Sequence, residues 1–305
     1  MKRHVTILTT WDVDPAAEVS IDSMKEALKQ VRWLLGDLQI PSTFFCPAKM
    51  AEQFDTEVVS FLQDGHEIGC HGLTHGDEEE YNRMPDDMQR KYLCKATDIL
   101  SRITRRNVTS FRGPRLKTSH ITQKILIELG YIADCSVASQ RIDFVSSNLV
   151  NIGWIFAPRL PYRPSNRSAF RKGDKDIWVV PLSAAIVPFI SSVLYILKTR
   201  VMKSLFRILY MESQRTGKPI VYLVHPYEFA PYTGTWKPED LSTIQRIRTH
   251  GFLFRDKFYE KNHQERFRMN KELFRYMKSF PDVRFKTVRD FVSDTLVRHR
   301  NEPLR

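Results

Sequence analysis

Cysteine is scarce in this chain and scattered: Cys46, Cys70, Cys94 and Cys135 lie far apart, and no two form a C-x-x-C pair. That spacing argues against both a zinc knuckle and a disulfide framework, and the four are read as reduced, mostly buried thiols. The chain also lacks an internal repeat, a low-complexity tract, and any Gly/Ser- or Pro-rich run long enough to separate two cores. No zinc-finger spacing or other nucleic-acid motif occurs, so DNA binding is without support. A length of 305 residues allows one or two domains, and α/β barrels of roughly 200 to 250 residues commonly fold as one. The economical expectation is one domain over residues 1–305 with a long insertion.

Acidic side chains are outnumbered. Against 47 Lys and Arg stand 35 Asp and Glu, for a formal charge of +12, which raises the local concentration of anionic partners. Nucleic acid, an anionic membrane, and a phosphorylated or diphosphate-linked substrate are the classes that fit. The basic residues concentrate late, from Lys198 to Arg207 and from Arg246 to Arg300, alternating with aromatics in helix-like sequence. Solvated helix faces are the plainer explanation of that pattern. At the start, only Val5 to Trp11 separates Met1-Lys2-Arg3-His4 from Asp12, too short and too polar for a cleaved export segment, so a cytoplasmic protein is expected.

Strand and helix patterns alternate along the chain. Val5 to Trp11 is β-rich, and Ser20 to Leu38 has helical periodicity ending before Pro41. Ser42 to Cys46, Glu67 to Cys70, Val108 to Phe111, Tyr131 to Cys135, Ile177 to Pro181 and Ile220 to Val224 read as further strands. Helical stretches at Glu57 to Gln63, Met88 to Ile103 and Ile121 to Leu129 fall between them, and Val283 to Lys286 with Val288 to Val297 gives a closing strand and helix. Such alternation predicts parallel strands wrapped by helices. Residues 140–176 read as an irregular insertion over the site, and residues 240–300 as a basic C-terminal helical region.

Barrel enzymes carry their chemistry on the C-terminal ends of parallel strands. The first predicted strand ends in Asp12-Val13-Asp14, where extended backbone turns both carboxylates to one face; side by side they need a cation or positive partner, although a solvated strand end is an equally good reading. The third runs into His71-Gly72-Leu73-Thr74-His75, two imidazoles that converge if the chain coils at once. With one Asp they form a set that leaves positions open for water and substrate, as catalytic metal sites do. Arg112, at another strand end, can hold a carboxylate by paired hydrogen bonds or be an ordinary surface arginine. His225 also ends a strand, where a lone histidine is more often structural.

The order D-x-D, H-x-x-x-H, R-x-P and strand-His-Pro, together with Ser42-Thr43-Phe44-Phe45 and Gly65-His66-Glu67-Ile68-Gly69, resembles the polysaccharide deacetylase superfamily, also called the NodB-homology or carbohydrate esterase 4 family. The resemblance covers nearly the whole chain and implies an α/β fold, a distorted (β/α)7-type barrel. It also implies a metal-dependent carbohydrate N-deacetylase in glycan metabolism that removes an acetyl group from an amino sugar. Asp14, His71 and His75 match metal ligands for one divalent ion, zinc foremost, with cobalt, nickel, manganese and iron as other candidates. Asp12 matches the catalytic base, Arg112 the arginine that positions it, His225 the general acid and Asp134 the carboxylate that tunes His225. Two departures stand out. Val13 separates aspartates that are usually adjacent, as in cytoplasmic or membrane-face branches acting on lipid-linked sugars. Arg115 replaces the usual Tyr of R-x-P-Tyr, at the position whose backbone N–H binds the carbonyl oxygen. An O-acetyl esterase or N-deformylase would use the same residues, and a non-catalytic carbohydrate-binding relative is the alternative of a different class.

Ile177 to Leu197 is a run of 21 residues without charge, followed by Lys198, Arg200, Lys203 and Arg207. Pro181 and Pro188 interrupt it, so the expectation is a strand, a turn and a core helix from about Pro188 to Arg215 rather than a membrane span. The apolar stripe from Phe189 through Leu197, Val201 and Leu205 to Ile208 is wider than one core-facing side needs. Peripheral attachment to the inner face of an anionic membrane, or packing in a homo-oligomer, would use that surplus. Attachment would bring the site to a polyprenyl-linked acetamido sugar whose phosphate meets Arg115 or the Arg159, Arg163 and Arg167 loop.

Overall fold

The computed structural model describes residues 4–16, 19–139, 153–185, 187–231 and 260–301, with side chains as far as residue 296. Residues 140–152 of the expected insertion and 240–259 of the basic C-terminal region lie outside that description. The chain opens with β1 (Val5–Asp12), α1 (Ile21–Leu38), β2 (Ser42–Cys46), α2 (Ala48–Gln53), α3 (Asp55–Gln63), β3 (Glu67–Cys70), α4 (Asp86–Thr104), β4 (Ser110–Phe111), α5 (His120–Glu128) and β5 (Ala133–Asp134). After α6 (Gly153–Phe156) come β6 (Pro164–Ser165), β7 (Ser168–Lys172), β8 (Trp178–Val179), β9 (Ala184–Ala185), β10 (Val187–Pro188), α7 (Ser191–Thr216), β11 (Ile220–Val224), α8 (His263–Lys278), β12 (Val283–Phe285) and α9 (Val288–Asn301).

The main sheet runs β11-β1-β2-β3-β4-β5-β8, all parallel, with β12 added against the start of β1. It curls without closing by strand pairing, since β8 and β11 are not neighbours. The chain leading into α7 fills the gap instead: Ser183 Oγ accepts the Val221 N–H at 2.9 Å, and Ile190 bridges Leu223. These are the parallel strands that the alternation predicted, in the distorted α/β barrel that the resemblance implies. Buried apolar side chains from Val5 to Val292 form one continuous core, and burying them is the main stabilising term.

Local sequence explains the elements that matter to the site. Helix α1 starts because Ser20 accepts the Ser23 N–H at 3.1 Å, and it buries Met24, Leu28, Val31 and Leu35 at helical spacing. Helix α9 is anchored in the barrel by a carboxylate. Buried Glu67 accepts the Arg289 N–H at 2.9 Å as well as the Thr43 and Ser110 hydroxyls at 2.8 and 2.6 Å, a negative charge set against a helix N-terminus. His66 is also structural. Its Nδ1 accepts the Ser42 N–H at 3.2 Å between the rings of Phe44 and Phe61, so the ring is neutral and burial pushes its pKa down to about 4.

One expectation needs correction. The insertion is not irregular throughout, because β6 and β7 pair antiparallel within it and Tyr162 bridges Val179. The stripe from Phe189 to Ile208 is wider than its core-facing side, as expected: Phe189, Val193, Leu194 and Leu205 are buried in the core, while Leu197, Val201 and Ile208 are exposed. Among the described residues no helix is long and apolar enough to cross a membrane. Cys46, Cys70 and Cys135 are buried free thiols, and burial pushes Cys70 up to about 12, so none of the three is a ready nucleophile.

Candidate active site

Because the strands run parallel, β1, β3, β4 and β11 end on the same side of the barrel, and each delivers a functional side chain there. At the end of β1, Val13 is buried and its N–H still pairs with the Phe45 carbonyl at 2.9 Å. That continued extension turns Asp12 and Asp14 to the same side. His71 follows β3 directly, and its N–H bonds to the Cys46 carbonyl at 2.9 Å. Arg112 follows β4 and bonds through its own N–H to the Cys70 carbonyl, also at 2.9 Å. His225 follows β11 and heads the 3-10 turn Pro226–Phe229.

The ligand-type atoms of Asp14, His71 and His75 all lie within 4.8 Å of one another. His71 Nε2 is 3.0 Å and His75 Nε2 3.5 Å from Asp14 Oδ1. On the far side of the His71 ring, Nδ1 donates to the Arg112 carbonyl at 2.6 Å, which fixes the tautomer in which neutral His71 offers a bare Nε2 lone pair. Asp14 Oδ1 is buried without a hydrogen-bond donor. A lone pair facing a carboxylate oxygen is repulsive unless a proton or a cation lies between them. Burial works against ionising Asp14, yet His75 and His71 hold its pKa well below the usual carboxylate range. Burial likewise opposes charging His71, and Asp12 and Asp14 outweigh it, raising the pKa. The pocket is thus built for positive charge, and two imidazoles with one carboxylate are the donor set of a first-row divalent metal with open positions.

Asp12 is held differently. Its Oδ1 accepts from Arg112 Nη1 at 2.6 Å, and its Oδ2 is 3.8 Å from His71 Nε2. Arg112 is fully buried, donates further to Thr10 Oγ1 and the Cys135 carbonyl, and stacks its guanidinium 4.4 Å from the Phe45 ring centroid. The grip on Asp12 is therefore a single Nη1 contact rather than the expected pair, and Nη2 is left without a hydrogen-bond partner. His225 Nε2 lies 3.6 Å from Asp14 Oδ2.

The carboxylate beside His225 is not Asp134. Asp134 accepts from Thr118, Gln123, the Ser136 N–H and the Ser136 hydroxyl, so both its oxygens are committed within its own neighbourhood. Glu228, three residues after His225, takes the place expected of it, with Oε1 3.4 Å from His225 Nδ1. Glu228 is itself buried and receives the Tyr195 hydroxyl at 3.0 Å, while Asn270 links Tyr195 to Tyr222. Burial disfavours the His225 imidazolium, but Glu228, followed by Asp14 and Asp12, raises its pKa to about 9. The sequence presents Glu228 only as an acid in the His225-Pro226-Tyr227-Glu228 turn, and nothing in that spacing distinguishes it from an exposed one.

A second unanticipated residue shapes the loop between the histidines. Buried Glu79 accepts the N–H groups of Leu73, Thr74 and His75 at 2.6, 2.7 and 2.9 Å, and also the Tyr81 hydroxyl at 2.6 Å. Those bonds coil the chain so that His75 (φ 64°) turns back toward His71. Gly72, at φ +79°, is required there, since a Cβ would sit 2.4 Å from Glu79 Oε1. Glu79→Gln places an amide donor against donors, and should cost about 1–3 kcal/mol of stability. We expect zinc affinity to fall by about 10-fold or more as the histidine spacing loosens. Titration with a competing chelator measures this, and unchanged affinity would show that the loop does not depend on Glu79.

Arg115 lies in the turn Pro114–Leu116 with left-handed backbone, φ 53°. Its side chain bonds to Asp77 at 2.7 Å and to the Gly76 carbonyl at 3.2 Å. Arg159 forms a fork to Glu212 at 2.8 and 2.6 Å, and Arg163 is held by the Lys175 carbonyl at 2.7 Å. Three of the four guanidiniums expected to meet a substrate phosphate, those of Arg115, Arg159 and Arg163, thus already have protein partners.

Residues 2–133 match the polysaccharide deacetylase family model, a stretch that contains Asp12, Asp14, His71, His75, Arg112 and Arg115. Over that stretch, somewhat under half of its length, the chain carries the polysaccharide deacetylase family's pattern. A curated relative, the peptidoglycan deacetylase of Helicobacter pylori (strain ATCC 700392 / 26695), is 26% identical over 122 residues. The aligned part is 40% of this chain and 38% of that protein, so the match spans well under half of the relative's length. Among solved structures, a Mycobacterium smegmatis protein assigned to the polysaccharide deacetylases superposes with a TM-score of 0.62 at 15% identity, covering 100% of this chain and 94% of that one. PuuE allantoinase superposes at 0.60 with 16% identity, covering 99% and 92%. A Pseudomonas aeruginosa PAO1 protein also assigned to the deacetylases gives 0.59 at 14%, covering 99% and 93%. At such identities these likenesses are of fold, and they extend over the C-terminal half that the family model does not reach.

Proposed function

We propose that this chain is a metal-dependent carbohydrate N-deacetylase, removing the acetyl group from an amino sugar in a glycan or a lipid-linked precursor. The convergence of Asp14 Oδ1, His71 Nε2 and His75 Nε2 beside an Asp12 held by Arg112 carries this reading. Asp14, His71 and His75 would hold one divalent ion, with zinc first among the candidates. When bound, that ion supplies Lewis-acid polarisation of the amide carbonyl and makes water a better nucleophile. Asp12 takes the proton from the attacking water, and Arg112 keeps its carboxylate aimed. The Arg115 N–H steadies the oxyanion of the tetrahedral state. His225, kept protonated by Glu228, gives its proton to the departing sugar nitrogen, and acetate and a free amine result. Burial of Arg112 and Glu228 against fixed partners supports these roles, because neither side chain has freedom to wander from the geometry required.

The test is product analysis by mass spectrometry over free, nucleotide-linked and polyprenyl-linked N-acetylhexosamines, with O-acetyl and N-formyl analogues alongside. Loss of an acetyl group with gain of an amine is expected. Release only from O-acetyl or N-formyl substrates would replace this reading with esterase or deformylase, and binding without release would indicate a carbohydrate-binding relative.

The exposed side of α7 favours a further reading of where the enzyme works. Leu197, Val201, Ile208 and Met211 are exposed along it, among Arg200, Arg207 and Arg215. An apolar strip flanked by cations suits the surface of an anionic membrane, as a cytoplasmic protein attached peripherally to the inner face would need. A homo-oligomer contact is the competing use. Sedimentation with anionic but not neutral vesicles is expected, and equal recovery on both, or none on either, would favour the oligomer.

A further inference from the structure

Behind His225 the polar side chains of three elements form a chain of hydrogen bonds that runs one way. Asn270, fully buried on α8, sets the direction. The Arg266 carbonyl at 2.9 Å can only accept, which fixes Nδ2 on that side of the amide, and Oδ1 then accepts the Tyr222 hydroxyl of β11 at 2.8 Å. Nδ2 also donates at 2.8 Å to the hydroxyl oxygen of Tyr195, fully buried on α7. Tyr195 has one hydroxyl hydrogen, and with Asn270 donating to its oxygen that hydrogen goes to Glu228 Oε2 at 3.0 Å. The same Oε2 accepts the His225 backbone N–H, and Oε1 accepts from His225 Nδ1, both at 3.4 Å. A carboxylate that only accepts keeps the imidazole hydrogen on Nδ1 and leaves Nε2 facing Asp14 Oδ2 at 3.6 Å. Hydrogen bonds that merely pinned α7 and α8 to the barrel would need no common direction, and apolar side chains of the same shape would pin them about as well.

We propose that Tyr195 is a positioning residue for proton delivery: by holding Glu228 Oε2 it aims Oε1 at Nδ1, and so keeps His225 Nε2 toward the departing sugar nitrogen. The inference rests on the reading of His225 as the general acid of an amide hydrolase. It places part of that machinery on α7 and α8, outside the residues 2–133 that carry the family pattern. In the step concerned the C–N bond of the tetrahedral state breaks, its electron pair goes to nitrogen, and His225 Nε2 gives that nitrogen a proton. An imidazole held off line slows this step alone, since attack by water and binding of the sugar do not use it.

A substrate whose leaving group needs no proton isolates that step. Tyr195→Phe keeps the ring and its packing and removes only the hydroxyl. On methyl β-N-acetylglucosaminide the zinc-loaded variant is expected to lose at least about tenfold in kcat, with KM and zinc content unchanged. On 4-nitrophenyl acetate, which releases its phenolate unprotonated, the loss should stay below about twofold. A second variant, Asn270→Ala, leaves Tyr195 in place but frees its hydroxyl to turn, and should show the same selectivity at smaller size. Equal losses on amide and ester, or no loss on the amide in either variant, overturn the inference. A reading independent of turnover comes from nuclear magnetic resonance of isotope-labelled histidine in the zinc-loaded protein, with the His225 signals assigned by their loss in His225→Gln. Tyr195→Phe should shift the His225 Nδ1–H resonance, and an unchanged resonance also overturns the inference. If the resonance moves but product analysis finds no N-deacetylation by the wild type, the deacetylase reading fails while the placement of His225 by Tyr195 stands.

Discussion

Asp12→Asn is expected to keep its metal and lose turnover by about 10²- to 10⁴-fold, the usual worth of a positioned general base. The split from its neighbour is the informative part, because Asp14 contributes Oδ1 to the three-atom cluster while Asp12 faces Arg112. Asp14→Asn should therefore lose metal and activity together. The Asp12 variant also has a stability consequence that a solvent-exposed base would lack. Arg112 is fully buried and Asp12 is its only carboxylate partner among the described residues, so neutralising Asp12 leaves a buried cation uncompensated. Breaking such a pair costs about 3–5 kcal/mol, moderated here because Asn keeps a carbonyl oxygen for Nη1 to reach. A lowered melting temperature with full zinc occupancy and almost no acetate release is the expected combination. Near wild-type turnover on the true substrate would assign the base elsewhere.

His71→Ala and His75→Ala should each reduce zinc occupancy from about one per chain to a small fraction and take activity to background. The two should differ in stability. His71 is 1% exposed and donates to the Arg112 carbonyl, so its removal opens a hole in the packed strand ends, whereas His75 sits on a loop that the Glu79 carboxylate holds through backbone N–H groups. His75→Ala should fold with a melting temperature close to wild type, making it the cleaner test of coordination. Inductively coupled plasma analysis of the purified variants reads the result. Stoichiometric zinc in the double histidine variant would contradict the assignment.

Much of this site is legible in the sequence because its residues terminate strands whose pattern is strong. β1 and β2 fall where their β-branched and aromatic runs put them, and the period of 2 turns Asp12 and Asp14 to one side. The H-x-x-x-H pair is local, so its convergence needs only one coil of chain. What the sequence does not reveal depends on contacts across the fold. Glu79 and Glu228 are acids in polar stretches, and burial alone makes one a clasp for three backbone N–H groups and the other the partner of His225. Asp134 sits at the end of β5 as expected, yet its carboxylate is taken up by Thr118, Gln123 and Ser136. Strand β4 spans only Ser110–Phe111, and the hairpin of β6 and β7 is short, so their periodicity carries little information. The side chain of Arg115 looks available to an anion because its partner Asp77 lies 38 residues away, a pairing no local pattern reveals.

The central claim is that hydrolysis at this site depends on an ion held by Asp14, His71 and His75. Acetate release, followed on one protein sample as purified, after chelator dialysis and after readdition of one equivalent of zinc, tests it most directly. The account predicts release that disappears with the metal and returns with it, in parallel with free amine. Acetate release that persists undiminished in the metal-free protein would contradict it.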